Sequence, residues 1–198
     1  GRRAMTQAPV MLVVPAPAKV NLFLHVTGQR ADGYHTLESL FVLVDLADTI
    51  TLRRRDDGAI VRSNEVAGVG ASEDLAVHAA RALQAESGTH YGVELAVTKR
   101  IPIGGGLGGG SSDAASTLLA LNRLWSLARP RVRLLASAAT LGADVPFFVG
   151  GTAAVALCTG PGWSARAWPQ VSGGQTLSQT GPTMRERSSA SPPGAQVR

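Results

Sequence analysis

Cysteine occurs once in the 198 residues, as Cys158. That excludes an internal disulfide and a cysteine-built metal centre, and it points to a reducing compartment. Long apolar runs are also missing: no stretch approaches the roughly 18 consecutive apolar residues of a membrane span. The opening "GRRAMTQAPVMLVVPAPAKV" sets charge before a short apolar patch, but Pro15 and Pro17 interrupt it. It is too short and broken for a secretory leader. Lysine is nearly absent, with Lys19 and Lys99 standing against 17 arginines.

A sequence pI near 10.3 suggests a nucleic-acid partner, but the position of the charge argues otherwise. Residues 5–160 hold 13 Lys+Arg and 13 Asp+Glu. The excess comes from Arg2 and Arg3 at one end and from Arg166, Arg185, Arg187 and Arg198 at the other. Arg53-Arg54-Arg55, followed by Asp56-Asp57, reads as a solvated strand end or turn.

With 44% apolar residues the chain can bury a core. Its length suits one ordinary domain, or one domain and part of a second. Residues 1–10 read as a disordered N-terminus and residues 11–160 as the folded unit. Strand patterns cover "VMLVVPAPAKVNLFLHVTG", with Val20, Leu22 and Leu24 on one face, and "TLESLFVLVDLADTITLRRR", expected to break near Asp48. "SEDLAVHAARALQAESG" has helical spacing, with Ser72 as cap and Gly88 as stop. "YGVELAVTKRIPI" returns to strand, a helix is expected from Ser112 to Trp125, and "RVRLLASAATLG" gives a helix ending at Gly142. "FFVGGTAAVALC" reads as a short strand hairpin. Residues 161–198, rich in Ser, Gly, Pro, Gln and Thr, bury too little apolar surface to offset ordering entropy and are expected to be disordered.

In "IPIGGGLGGGSSDAAS", six of the seven residues from Gly104 to Gly110 are glycine. A linker would separate two self-sufficient blocks. Here a strand runs in and an amphipathic helix runs out. Glycines let successive N–H groups form a concave nest, and a helix N-terminus adds unpaired donors and partial positive charge, so the pattern favours phosphate. Leu107 is the expected anchor. Ser111 and Ser112 could add hydroxyl donors, cap the helix or help hold a phosphate-bound metal. The run is neither a Walker A loop, for lack of Gly-Lys-[Ser/Thr], nor a dinucleotide fingerprint, for lack of the later acidic residue.

Lys19 and Lys99 are either plain surface residues or, lying near this proposed phosphate chemistry, retained because a compact point charge serves there better than a planar fork. In "LGADVPFF", Asp144 sits among apolar neighbours. It is either a turn residue or a desolvated base that orients a hydroxyl.

Together "PAPAKVNLFLHVTGQRADGYHTLES", "PIGGGLGGGSSDAASTLLALNRLW" and "LGADVPFFVGGTAAVA" resemble, in order and spacing, the GHMP small-molecule kinases. The first motif is similar to the branch acting on a cytidine diphosphate-linked methylerythritol. The resemblance covers residues 12–157. It implies an α+β N-terminal domain similar to a ribosomal-protein domain, ATP and Mg²⁺ as cofactors, and phosphoryl transfer to the substrate's 2-hydroxyl in isoprenoid precursor synthesis. It also implies a bacterial cytoplasm in preference to a plastid, and no nucleic-acid or membrane partner.

By the same resemblance Lys19 and Asp144 form the catalytic pair, and Asn21, Tyr34 and His35 contact substrate. Lys99, Pro102, Gly104, Gly105, Gly106, Leu107, Gly108, Gly109, Gly110, Ser111 and Ser112 are expected around ATP. His25, His78 and His90 receive no role. The resemblance further implies a C-terminal domain that residues 161–198 do not match. That segment reads as an out-of-frame or truncated sequence, low activity of the 198-residue form is expected, and "GTAAVALC" is left as an exposed strand edge. Three alternatives remain: a sister GHMP kinase acting on another alcohol, a non-catalytic RNA-binding domain of the same fold, or a misfolded fragment without function.

Overall fold

The computed structural model describes residues 11–29, 35–150, 155–159 and 166–167. The chain order is β1 (Met11–Gln29), β2 (His35–Arg55), β3 (Ile60–Arg62), α1 (Leu75–Ser87), β4 (Gly92–Thr98), α2 (Gly109–Leu124), α3 (Arg131–Leu141), α4 (Val145–Gly150), β5 (Val155–Thr159) and β6 (Arg166–Ala167).

The long β2 organises the sheet. It pairs with antiparallel β1 along its whole length, from Met11 opposite Arg53 to Gln29 opposite His35. On its other side its C-terminal part pairs with β4 and its N-terminal part with β5. β3 runs parallel to β4, the two joined through α1. The expected break at Asp48 does not occur. Asp48 is fully buried within β2, and its carboxylate accepts from Arg100 N, Ile101 N and Lys99 Nζ, so the strand continues through a satisfied polar group.

One face of the sheet carries the core. Ile50 and Leu52 of β2 and Val93, Leu95 and Val97 of β4 meet Ala76, Ala79, Ala80 and Leu83 of α1 and Ala115, Leu118 and Leu121 of α2. The alanines let the helices approach closely, while each buried leucine contributes about 1.5–3 kcal/mol. Trp125 closes the end of α2, its indole N–H donating to Gly92 O at 3.1 Å.

Several boundaries differ from those expected. Asp74, not Ser72, caps α1, its side chain accepting from Ala76 N at 2.9 Å. Ser72 uses its carbonyl on His78 Nε2 instead. Gly88 ends α1 in the left-handed conformation, as expected. α2 begins at Gly109, three residues before Ser112, because the glycines themselves enter the helix. α3 ends at Gly142 as expected.

"VPFFVG" is the short helix α4, not the first arm of a hairpin. Pro146 suits a first helical turn, where its missing N–H costs nothing, and Phe147 and Phe148 pack inward. β5 does form. It lies between β2 and β6, so it is not the bare edge expected. Residues 166–167 of the supposed disordered tail therefore pair in the sheet. Residues 1–10 and the remainder of that tail lie outside the described residues.

Val20, Leu22 and Leu24 do not share a buried face. A bulge between Asn21 and Phe23 interrupts the alternation, and Leu22, Leu24 and Val26 are exposed. Arg55 pairs with Asp57 and Arg54 with Asp56, as a solvated strand end should. No helix among the described residues is long and apolar enough to cross a membrane.

Candidate phosphate site and the lysines beside it

Between β4 and α2 the chain alternates in and out of the left-handed region, with Gly104 at φ 77° and Gly106 and Gly108 both at φ 71°. Glycine adopts this conformation without a Cβ penalty, and the alternation turns neighbouring N–H groups to one side. Gly108 is the N-cap of α2 and no side chain caps the helix, so the first-turn N–H groups are open to another acceptor. Ser111 and Ser112 thus do not act as caps, and Ser112 Oγ is buried without a partner among the described residues. Leu107 is half-buried, and its carbonyl accepts the Lys19 N–H at 3.0 Å, tying the loop to β1.

The two lysines flank this turn. A Cβ placed on Gly108 would lie 3.2 Å from Lys19 Cγ and 3.0 Å from Phe148 Cζ. One placed on Gly109 would lie 3.1 Å from Lys99 Nζ. Adjacent glycines therefore fit between the chain's two ammonium-bearing side chains.

On the Lys19 side the Nζ donates to Asn21 Oδ1 at 2.6 Å, lies 3.7 Å from Asp144 Oδ2 and sits 4.6 Å above the Phe41 ring. Phe41 meets Phe147 edge-on at 5.1 Å, and Phe147 meets Phe148 at 5.0 Å. The ammonium is thus held over the Phe41 face while Asp144 remains 36% exposed. Asp144 precedes α4, where its carbonyl accepts from Phe147 N. Asp144 is thus a turn residue standing beside Lys19, and its partial exposure does not fit a desolvated carboxylate.

Lys99, one residue past β4, has its Nζ 2.5 Å from Asp48 Oδ2 and 2.8 Å from Asp113 Oδ2. Burial pushes the Asp48 carboxyl up, but the Ile101 N–H, the Lys99 ammonium and the Arg100 N–H outweigh it and hold it below its ordinary value. Asp113 has fewer donors. Burial pushes its carboxyl up to about 7, against the pull of Lys99. Burial also works against the Lys99 charge, yet Asp113 and Asp48 together raise the lysine above its ordinary value.

Neither Asp48 nor Asp113 is among the site residues expected from sequence. Their sequence distances from Lys99 hide the cluster, and the only sign was a carboxylate inside an otherwise apolar strand.

A cavity of about 220 Å³ opens at the loop, lined by Lys99, Asp113, Pro102 and Gly104–Gly110. Val66, Val69, Leu75 and Val97 add apolar lining. Lys19 and Asp144 do not line it; Lys19 lies against Gly108, and Asp144 is reached through the Lys19 ammonium. Ser111 and Ser112 lie inside the helix rather than on the cavity wall. Asn21 joins Lys19 and Asp144, whereas Tyr34 and the His35 side chain lie outside the described residues. Of the remaining histidines, His25 rests against Phe23 and His90 against Tyr91.

The sequence profile of the GHMP kinases N terminal domain matches residues 74–152, spanning α1, the glycine turn and α4. The chain carries a GHMP kinase N-terminal domain. It is 59% identical over 153 residues to a 4-diphosphocytidyl-2-C-methyl-D-erythritol kinase of Ralstonia pickettii, covering 77% of this chain and 53% of that protein. It is 61% identical over 148 residues to the kinase of the same name from Cupriavidus taiwanensis, covering 75% and 51%. A crystal structure of 4-(cytidine 5'-diphospho)-2C-methyl-D-erythritol kinase superposes with a TM-score of 0.69 at 42% identity, covering 79% of this chain and 55% of that one.

Homoserine kinase from Cytophaga hutchinsonii, at 20% identity and TM-score 0.51, shares the fold of this GHMP domain. The chain spans about half the length of the curated relatives it matches.

Proposed function

We propose that this domain binds ATP through the glycine turn and serves phosphoryl transfer to the 2-hydroxyl of a cytidine diphosphate-linked methylerythritol. The observation that carries the reading is the placement of Gly108 and Gly109 between Lys19 and Lys99. The names of the relatives at about 60% identity favour this substrate over those of sister kinases. An RNA-binding role has no comparable support, since the charge of residues 5–160 balances and the open amides suit a phosphate cradle.

In this reading Gly104–Gly110, with Pro102 and Leu107 shaping the loop, receive the polyphosphate on backbone N–H groups. Lys99 and the first turn of α2, including Ser111 and Ser112, support the loop from below. Asp144 accepts the proton of the substrate hydroxyl, and Lys19 keeps that carboxylate ionised and offsets charge developing on the transferred group. Asn21 positions the Lys19 ammonium through their hydrogen bond. Asn21, Tyr34 and His35 complete the substrate side.

Magnesium would arrive with the nucleotide and neutralise its phosphate oxygens. The described residues offer no group of three or more metal-ligating side chains, so no metal site of the protein's own is assigned. The bacterial sources of the relatives favour a bacterial cytoplasm.

The test is transfer of the γ-phosphate of labelled ATP to the cytidylyl substrate, beside homoserine and mevalonate as competing alcohols. The chain is assayed alone and with the remaining half of a close relative supplied. Label appearing only on the cytidylyl substrate supports the proposal. Label on another alcohol, or on none with both halves present, contradicts it.

A further inference from the structure

Two carboxylates share one ammonium beneath the glycine turn, and they are not equivalent. Asp48 accepts from Lys99 and from two backbone N–H groups. Asp113, which lines the cavity, accepts only from Lys99 through Oδ2, while its buried Oδ1 meets no donor among the described residues. The side chain is 5% exposed. An unpaired carboxylate oxygen beside a phosphate cradle repels the anion the cradle is built to receive, unless it carries a proton.

Resting on the reading of the loop as a phosphate cradle, we infer that Asp113 is its proton-linked residue. The carboxyl gains a proton at Oδ1 from solvent when a phosphate group settles on the loop, and then donates O–H to a phosphate oxygen. The ligand binds in the charge state it holds in solution, and the net change is one proton taken from the buffer.

The surroundings support this. Lys99 Nζ lies just below the α2 N-terminus, so a phosphate there draws the ammonium away from Asp113 and leaves its charge less compensated. Asp48 adds negative charge from β2, and Glu73 and Asp74 line the same cavity ahead of α1. Asp74 is already neutralised by Arg62 of β3 at 3.0 Å. The Asp113 carboxyl, pushed up to about 7 by burial, is within reach of protonation near neutral pH.

ADP binding to the full chain is measured calorimetrically at pH 8, where ADP itself is fully ionised, in Tris and in HEPES, whose ionisation heats differ. With the free carboxyl pushed up only to about 7, Asp113 is mostly ionised at that pH, so binding should take up a proton, read as a buffer-dependent heat. Asp113→Asn should bind ADP with the same heat in both buffers, whereas Glu73→Gln should behave as the unaltered protein.

If the asparagine variant does not fold, Asp113→Ser supplies the comparison, and the unaltered protein alone already reports whether uptake occurs. Buffer-independent heat in the unaltered protein, or uptake that persists without the Asp113 carboxyl, overturns the inference and leaves the cradle standing. A folded chain that does not bind ADP overturns the cradle, and this inference with it.

Discussion

The Lys19 N–H donates to the Leu107 carbonyl at 3.0 Å, so the glycine turn and the residue facing Asp144 are fastened to each other by backbone. The same lysine reaches Asp144 Oδ2 with its Nζ at 3.7 Å. A displacement of the turn therefore displaces the ammonium, which makes the two halves of the site one mechanical unit.

Two glycines separate shape from space. Gly106 has φ 71° with no neighbour where a Cβ would go, whereas Gly108 has the same φ with Phe148 and Lys19 in the way. Gly106→Ala should cost about 1–2 kcal/mol of backbone strain. Gly108→Ala adds overpacking and should cost about 2–5 kcal/mol. Gly106→Val should weaken ADP binding about tenfold or more through its side chain at the cradle mouth. Urea denaturation and ADP titration of the three variants check this. Equal stability of the two alanine proteins, or full ADP affinity in Gly106→Val, contradicts it.

Removing a buried partner exposes the role of Asp48. Asp48→Ala leaves the Arg100 and Ile101 N–H groups without their acceptor and Lys99 with only Asp113. The expected loss is about 3–5 kcal/mol, because an uncompensated buried charge is worse than no pair. A loss under about 1 kcal/mol by chemical denaturation would remove Asp48 from the framework of the turn.

Stability should depend on pH through Asp113 with an unusual sign. Its folded value of about 7 stands above the ordinary 3.8, so between these the folded chain holds a proton that the unfolded chain has released. Stability therefore falls as pH rises through that window. Asp48 works oppositely: its contribution is present above the ordinary carboxylate range and disappears as pH falls through its lowered value. Urea unfolding from pH 4.5 to 8 should decline in the unaltered protein and flatten in Asp113→Asn. Parallel curves would show that Asp113 titrates normally.

Chemistry and binding should separate at Asp144. Asp144 is not among the residues lining the cavity, so Asp144→Asn should leave ADP affinity within about twofold. Phosphoryl transfer should fall by about 10²–10⁴-fold. Single-turnover assays with both halves of the enzyme present read this directly, and transfer near the unaltered rate would exclude Asp144 as the base.

Much of this arrangement was legible in the residues. The helical spacing before Gly88, the strand ahead of the glycines and the helix after them depend on local periodicity, and each element forms, with its boundaries shifted. Lys19 and Asp144, 125 positions apart, were joined only through the family resemblance. The Lys99–Asp48–Asp113 cluster was not legible, because strand propensity and charge patterning carry no record of contacts across 51 positions. Asp48 looked like a strand breaker for the same reason: local reading cannot supply the backbone donors that satisfy it. The turn before β5 failed differently. "VPFFVG" has the composition of a strand, yet it forms the helix α4, with Pro146 in its first turn and Phe147 packed on Phe41.

A crystal structure with a non-hydrolysable ATP analogue tests the phosphate cradle most directly. The polyphosphate should lie on the N–H groups from Gly106 to Gly110, with its terminal phosphorus turned towards Lys19 Nζ and Asp144. A nucleotide bound elsewhere, with those amides facing solvent, would contradict it.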